Sequence, residues 1–410
     1  MLHIVVQVFF FLIFFVIALL SMLIWKPFFN IQATSHHNEQ YLEGLRGIAA
    51  LAVVGCHVNQ ILLSYLHIPG LPATGNRIGG LGVQVFFALT AYLFIGKALQ
   101  GTLDFQSFYQ KRIRRIVPLY LFLSLCTIAL SFRFMETPIL SYVDIFTRCI
   151  NVLSFGFIGN NTDLYPPTYE LLVFQKYNAL ELIGVAWSLS YEWRFYLILP
   201  LIYYLSLNST KRKLTLLGLV IILALRDFYT YPAVKVVWPF FIGGALAALI
   251  LHYYPKLAEL RFSRLFSYLI IPLLLFSVFT NDVFNFKHFI LTSLLFLCIV
   301  FAKPKLLTLK PLVALGQISY SVYLMQYLVL RLVDKTLGPH VYQAPFFIKF
   351  VVCFLVIALL IPFASFTYKF IELPAMQSRF LQQFSLAWES LIYRLQLLKN
   401  GRLRDLGKLE

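Results

Sequence analysis

Residues 3–25, HIVVQVFFFLIFFVIALLSMLIW, contain no aspartate, glutamate, lysine or arginine. About 20 consecutive apolar residues carry a helix across the hydrocarbon of a bilayer, so this run predicts a membrane span. It has no positive leading region and no A-x-A site follows it, which separates it from a cleavable signal peptide. It reads as a retained helix. The same ruler finds further spans near 48–66, 82–99, 116–133, 185–207, 214–230, 235–251, 265–280, 288–302, 317–333 and 346–368. The composition agrees. The chain of 410 residues is 60% hydrophobic and 12% charged, with 41 phenylalanines and 24 tyrosines, and its mean hydropathy is +0.79. Soluble chains run to about 45–50% apolar and about 25% charged. Soluble, disordered and disulfide-rich secreted classes are therefore excluded. The expected fold class is all-α, a polytopic integral membrane helical bundle of about 10–11 transmembrane helices.

The net charge of +17 comes from 34 Lys and Arg against 17 Asp and Glu. The basic residues lie in short clusters between apolar runs, the pattern of the positive-inside bias, and no nucleic-acid partner is expected. The 97–115 loop holds Lys97, Lys111, Arg112, Arg114 and Arg115, which makes it cytoplasmic. Alternation then puts Lys211-Arg212-Lys213, the 252–264 and 303–316 loops and the tail after 369 on the same side, and all are basic. The intervening loops near 67–81, 281–287 and 334–345 carry one Lys or Arg each. This predicts a multi-pass cell-membrane protein with its N-terminus outside and its C-terminus in the cytoplasm. The long connection 134–184 falls outside, with residues 139–158 expected as an interfacial or re-entrant helix rather than a span. The expected organisation is an extra N-terminal helix and cytoplasmic loop at 1–40, a core at 41–374 and a basic tail at 375–410. The cysteines at 56, 126, 149, 298 and 353 show no metal spacing. They read as small buried hydrophobes, and no metal is expected.

Ionisable groups inside a span are costly and point to function. Three places stand out. Arg46 and His57 are eleven residues apart on one expected helix; at about 100° and 1.5 Å per residue they share a face, with His57 roughly 16 Å deeper. Arg112 and Arg115 are neighbours on a helix surface, and guanidinium forks suit phosphate. In Trp187-Ser-Leu-Ser-Tyr-Glu192-Trp-Arg194-Phe-Tyr196, Glu192 can accept a proton, hold an imidazolium or bind a sugar hydroxyl. Arg194, two residues on, falls on the opposite side of the helix and is a poor local partner. Each has a plain structural reading as well: topogenic arginines, a histidine bonded across the bundle, an interhelical ion pair.

At these residues the chain resembles the acyltransferase-three family of integral membrane acyltransferases, which includes the O-acetyltransferases of bacterial surface polysaccharides. Tyr41–His57 is similar to the family's EGLRGIAALLVVxxH, with the Arg-x10-His spacing kept. Gly82–Tyr92 resembles GVDxFFVLSGY, and Arg112 with Arg115 fits an RxxR before the next span. Trp187–Pro200 resembles WSLSxExxFYLxxP, Leu315–Leu324 resembles LGxISYSLYL, and Phe370–Pro374 the closing xIExP. The matches keep family order from 41 to 374. Gln84 stands where the family has Asp, Thr90-Ala91 replaces Ser-Gly, and Met325-Gln326 replaces Trp-His.

The resemblance implies transfer of an acyl group, most often acetyl, from a cytoplasmic acyl-CoA such as acetyl-CoA to a hydroxyl of an extracytoplasmic carbohydrate, for instance a surface polysaccharide. The expected roles are donor phosphates on Arg46, Arg112 and Arg115, and His57 as general base or transient acyl carrier. Glu192 would orient or charge-balance the reacting group from the acceptor side. The rival reading is a proton-coupled secondary transporter or flippase, since proton relays also use intramembrane His and Glu, but no repeat of two halves is visible. A polysaccharide polymerase or ligase is a second rival.

Overall fold

Each of the eleven apolar runs forms a helix, and three of the helices begin well before their runs. The structure, a computed structural model, describes residues 2–31, 40–61, 71–134, 142–155, 173–174, 177–178, 184–206, 210–230, 236–258, 260–280, 283–341 and 344–378. The helices are α1 (Leu2–Phe28), α2 (Gln40–Ile61), α3 (Leu71–Leu99), α4 (Phe105–Phe134), α5 (Tyr142–Leu153), α6 (Trp187–Ser206), α7 (Thr210–Thr230), α8 (Phe240–Tyr253), α9 (Leu260–Phe279), α10 (Phe286–Ala302), α11 (Lys310–Gln317), α12 (Ser319–Val341), α13 (Phe346–Thr367) and α14 (Leu373–Gln377). A π turn, Tyr368–Glu372, joins the last two. Among the described residues the only β structure is the antiparallel pair Val173–Phe174 with Tyr177–Asn178. The fold is all-helical. The early starts of α2, α3 and α4 have a common cause: hydropathy drops at the first charge, whereas the helix continues as long as its charged side chains find partners or a cavity.

By length and hydropathy alone, Phe9–Phe28, Gln40–Val58, Asn76–Leu99 and Phe347–Gln377 qualify as spans, and the pair α11 and α12, bent by 73°, makes a fifth. The chain is a multi-pass membrane protein. The other expected spans are shorter, as in α8 and α10, or dilute their apolar runs with charge and aromatic hydroxyls, as Glu192, Arg194 and Tyr196 do in α6. Large apolar side chains face outward on many helices, among them Leu12, Leu197, Ile222, Ile271 and Phe347. In water such a surface would aggregate; against acyl chains it is matched.

Within the 139–158 stretch the structure has α5, 12 residues long, about 18 Å at 1.5 Å per residue and too short to span. Its Val143 and Phe146 are exposed. Its far end is tied to α4, where the Tyr120 hydroxyl donates to the Val152 carbonyl at 2.6 Å and the Tyr120 ring stacks on Phe155 at 3.8 Å. The rest of the 134–184 connection lies largely outside the described residues, as does most of the 375–410 tail. None of the five cysteines forms a disulfide; three are buried and Cys126 and Cys149 are partly exposed.

The arrangement is built around α2, which is buried against α3, α11 and α12. Glycine makes the contacts with α11 and with the turn at 305–308 before it possible. A Cβ on Gly44 would sit 1.8 Å from the Leu307 carbonyl oxygen, and one on Gly316 would sit 1.9 Å from that of Glu43. Backbone thus lies directly on backbone at the helix end that carries Glu43 and Arg46. Aromatic side chains close the remaining interfaces: Phe10 of α1 on Phe354 of α13 at 5.6 Å, and Phe241 of α8 between Phe87 of α3 and Phe195 of α6 at 4.6 and 4.7 Å.

Candidate active site

Arg46, Arg112, Arg115 and Glu192, from three helices, line one cavity of about 80 Å³. This is small beside the roughly 300–1,000 Å³ of ordinary ligand sites and suits a small group only. α2 supplies Arg46, whose Nη1 donates to Glu43 Oε1 at 2.8 Å one turn earlier. α4 supplies Arg112 and Arg115. The Arg112 guanidinium lies 5.1 Å from the Phe94 ring centre, and its buried Nε has no hydrogen-bond partner among the described residues. α6 supplies Glu192, which accepts from the Tyr196 hydroxyl one turn on and from Thr90 Oγ1 at 3.4 Å.

The electrostatics are those of a packed cluster. Arg46 interacts with Glu43 and Glu192, and Arg115 interacts with Glu43 and Glu372. Glu372 sits buried on the π turn, accepting from Ser321 Oγ; Thr367 Oγ1 in turn bonds Ser321 Oγ at 3.1 Å. Three cations thus share the neighbourhood with three carboxylates, but the cavity wall itself carries three cations and one carboxylate. It favours an anion. The break between α11 and α12 adds to this, because a helix start leaves its first N–H groups without intrahelical partners and Ser319 and Tyr320 of that first turn line the cavity.

His57 is on α2 with Arg46, as its spacing predicts, yet it does not line this cavity. Its Nδ1 lies 2.9 Å from Gln326 Oε1, and its ring packs on Tyr327 at 4.6 Å. Gln326 Nε2 donates to the Tyr323 carbonyl at 2.7 Å. A carbonyl can only accept, so this bond fixes which end of the amide faces the histidine. The end facing it is an acceptor, hence Nδ1 carries the proton and Nε2 of the neutral ring is the basic nitrogen. Tyr323 is the bridge between the two places: its backbone holds Gln326, while its side chain lines the cavity and its hydroxyl pairs with Ser188 Oγ at 2.7 Å.

Sequence reasoning passed over Gln326, Tyr196, Thr90 and Tyr323. The four-residue step from Glu192 to Tyr196 is a readable helix-surface pair. Gln326 is 269 positions from His57, and no local signal marks that pairing. Gln84, the departure from the family's Asp, has a structural reason. Its amide donates to the Val283 carbonyl and accepts from Thr292 Oγ1, both at 2.5 Å. A carboxylate could not make the first of these bonds.

The sequence model of the acyltransferase-three family, described as an acyltransferase domain, matches residues 39–366. The chain belongs to this family. Among curated proteins it is similar to the O-acetyltransferase OatA of Staphylococcus aureus, 25% identical over 385 residues, covering 84% of this chain and 58% of that protein. The peptidoglycan O-acetyltransferase OatA of Listeria monocytogenes is 23% identical over 401 residues, covering 86% of this chain and 58% of that protein. The chain thus spans a little over half the length of these relatives. No solved structure matches it.

Proposed function

We propose that this acyltransferase moves an acetyl group from acetyl-CoA, bound from the cytoplasm, to a hydroxyl of a carbohydrate on the outer side of the membrane. The observation that carries this reading is the convergence of Arg46, Arg112 and Arg115 with the start of α12 around one small cavity. Guanidinium groups and free helix N–H groups are the groups that hold phosphate. Because the cavity admits only a small group, the nucleotide part of the donor would stay at its mouth with the acyl arm reaching inward. The OatA names suggest peptidoglycan as one acceptor; other surface polysaccharides carry the same hydroxyl chemistry.

In the reaction the acceptor oxygen attacks the thioester carbonyl, the carbon–sulfur bond breaks, and the hydroxyl proton ends on the departing thiolate. His57 Nε2 takes that proton and returns it, and Gln326 holds the ring in the tautomer that permits this. Glu192 keeps Tyr196 and Thr90 oriented and offsets the arginine charge. Charge alternation supports the sidedness, with Arg112 and Arg115 facing the cytoplasm. Purified protein incubated with labelled acetyl-CoA and a glycan acceptor tests the reading. Label transferred to the acceptor, or slowly hydrolysed in its absence, is expected; an inert protein that instead moves protons or solutes across liposomes would overturn it in favour of a transporter.

A further inference from the structure

A second cavity, of about 650 Å³, opens between α6, α7, α8 and the end of α3. Its volume falls in the range of about 300–1,000 Å³ typical of ligand sites. The wall is aliphatic and aromatic, with side chains such as Ile198, Leu217, Phe241 and Leu249, and it carries two cations, Arg194 and Lys213, and no carboxylate. Arg194 lies over the Tyr191 ring at 5.4 Å and makes no ion pair among the described residues. A guanidinium in an apolar run without a carboxylate is costly. Something negative belongs beside it.

The wedge has a cause in the packing. α7 meets its neighbours at its C-terminal end, where Trp238 Nε1 donates to Asp227 at 2.8 Å and Phe228 packs on Phe289 of α10 at 5.6 Å. Toward its N-terminus it stands away from α8, and the space between is this cavity. Lys213 and Tyr203 flank the α6–α7 connection, whose Lys211-Arg212-Lys213 cluster marks a cytoplasmic loop. Arg194 is nine residues before Tyr203, about 14 Å deeper along α6.

We propose that the wedge binds one anionic phospholipid of the surrounding bilayer. Lys213 meets the phosphate at headgroup depth, and the acyl chains fill the aliphatic wall toward Trp238. Arg194, held over Tyr191 at 5.4 Å one turn further from the mouth, adds a second positive charge deeper in the wall. Basic pockets between transmembrane helices on the cytoplasmic side are suited to such headgroups. A water-soluble donor would gain nothing from this wall. Arg194 and Lys213 lie outside the arginine cluster, so the inference stands apart from the acyl-transfer reading.

Trp238 lines the wedge and is its own reporter. Full-length protein in nanodiscs of phosphatidylcholine would be titrated with chain-brominated phosphatidylglycerol, chain-brominated phosphatidylcholine or brominated oleate, and the Trp238 signal taken as the difference from Trp238→Phe. Saturable quenching by phosphatidylglycerol is expected, with a preference over phosphatidylcholine that falls about fivefold for each cation removed in Arg194→Gln and Lys213→Gln. Arg194→Lys should keep much of it, which separates lost charge from lost packing. Equal quenching by both phospholipids, a preference that survives in the double variant, or tighter quenching by oleate would each overturn the proposal.

Discussion

Replacing Gln326 with leucine tests the chain of bonds that runs from the Tyr323 carbonyl to His57. In the native protein, donation from Gln326 Nε2 at 2.7 Å orients Oε1 toward Nδ1 at 2.9 Å. Leucine keeps the volume and loses the acceptor. A hydrogen bond of this kind contributes about 0.5–1.5 kcal/mol net, so the share of rings with Nε2 as the base should fall about 2- to 12-fold. kcat should fall by the same factor, and toward the full general-base contribution of roughly 10²–10⁴ if the unheld ring turns away. KM for acetyl-CoA should stay put, because the arginines proposed to hold the donor are not involved. Gln326→Glu keeps an acceptor for Nδ1–H but adds a negative charge that favours the imidazolium. The ring then holds its proton to higher pH, and the acidic limb of kcat/KM should move upward, which mere repacking would not produce. The assay is initial-rate acetyl transfer across pH for the wild type, both variants and each variant combined with His57→Ala. In the His57→Ala background the Gln326 changes should cost nothing further, since groups acting as a unit are not additive. An unchanged kcat in Gln326→Leu, together with an unmoved acidic limb in Gln326→Glu, would refute the assignment.

His57→Ala should lower transfer by roughly 10²–10⁴-fold while the protein still inserts and keeps its helical circular dichroism; a variant of native activity would remove His57 from the chemistry. Arg46→Ala, Arg112→Ala and Arg115→Ala should each raise KM for acetyl-CoA roughly 10- to 100-fold, since charge-assisted bonds contribute about 1.5–3 kcal/mol, with lysine restoring part of it; three variants of native KM would make the cluster merely topogenic. Gly316→Ala, whose Cβ would meet the Glu43 carbonyl oxygen at 1.9 Å, should cost at least about 1–3 kcal/mol in thermal unfolding, while Gly218→Ala on α7, with nothing within 4 Å, should be neutral or stabilising by up to about 1 kcal/mol. In a background without the five native cysteines, a membrane-impermeant maleimide should label Thr162→Cys in intact spheroplasts and Gln110→Cys only after permeabilisation; labelling of both from one face would break the inside-donor, outside-acceptor sidedness.

What the sequence made legible follows from the range of the signals in it. Hydropathy is summed along the chain, so each apolar run in 3–368 appears as a helix, while the polar start of α4, which carries Arg112 and Arg115, lies beyond what a hydropathy window sees. The break at Ile318 has no proline to announce it; it arises where Gly316 must lie on the backbone of α2. Facing relations within one helix are legible too, since 3.6 residues per turn place Arg46 with His57 and Arg112 with Arg115. Contacts between helices are not. Nothing local ties Gln326 to His57, or brings Arg46 of α2, Arg112 of α4 and Glu192 of α6 to a common cavity. α6 shows how the two kinds of information combine. Glu192 and Arg194 are two residues apart, which the helical period turns into opposite faces and which rules out a local ion pair from sequence alone. Their neighbours then decide what each face is for: one looks into the arginine-lined cavity, where a carboxylate has cations to offset, and the other into an apolar wedge, where a guanidinium has none to answer it. A single helix therefore presents a carboxylate to an arginine-lined cavity and a guanidinium to an apolar one. Exchanging the charges of residues 192 and 194 would leave hydropathy and net charge unchanged while destroying both.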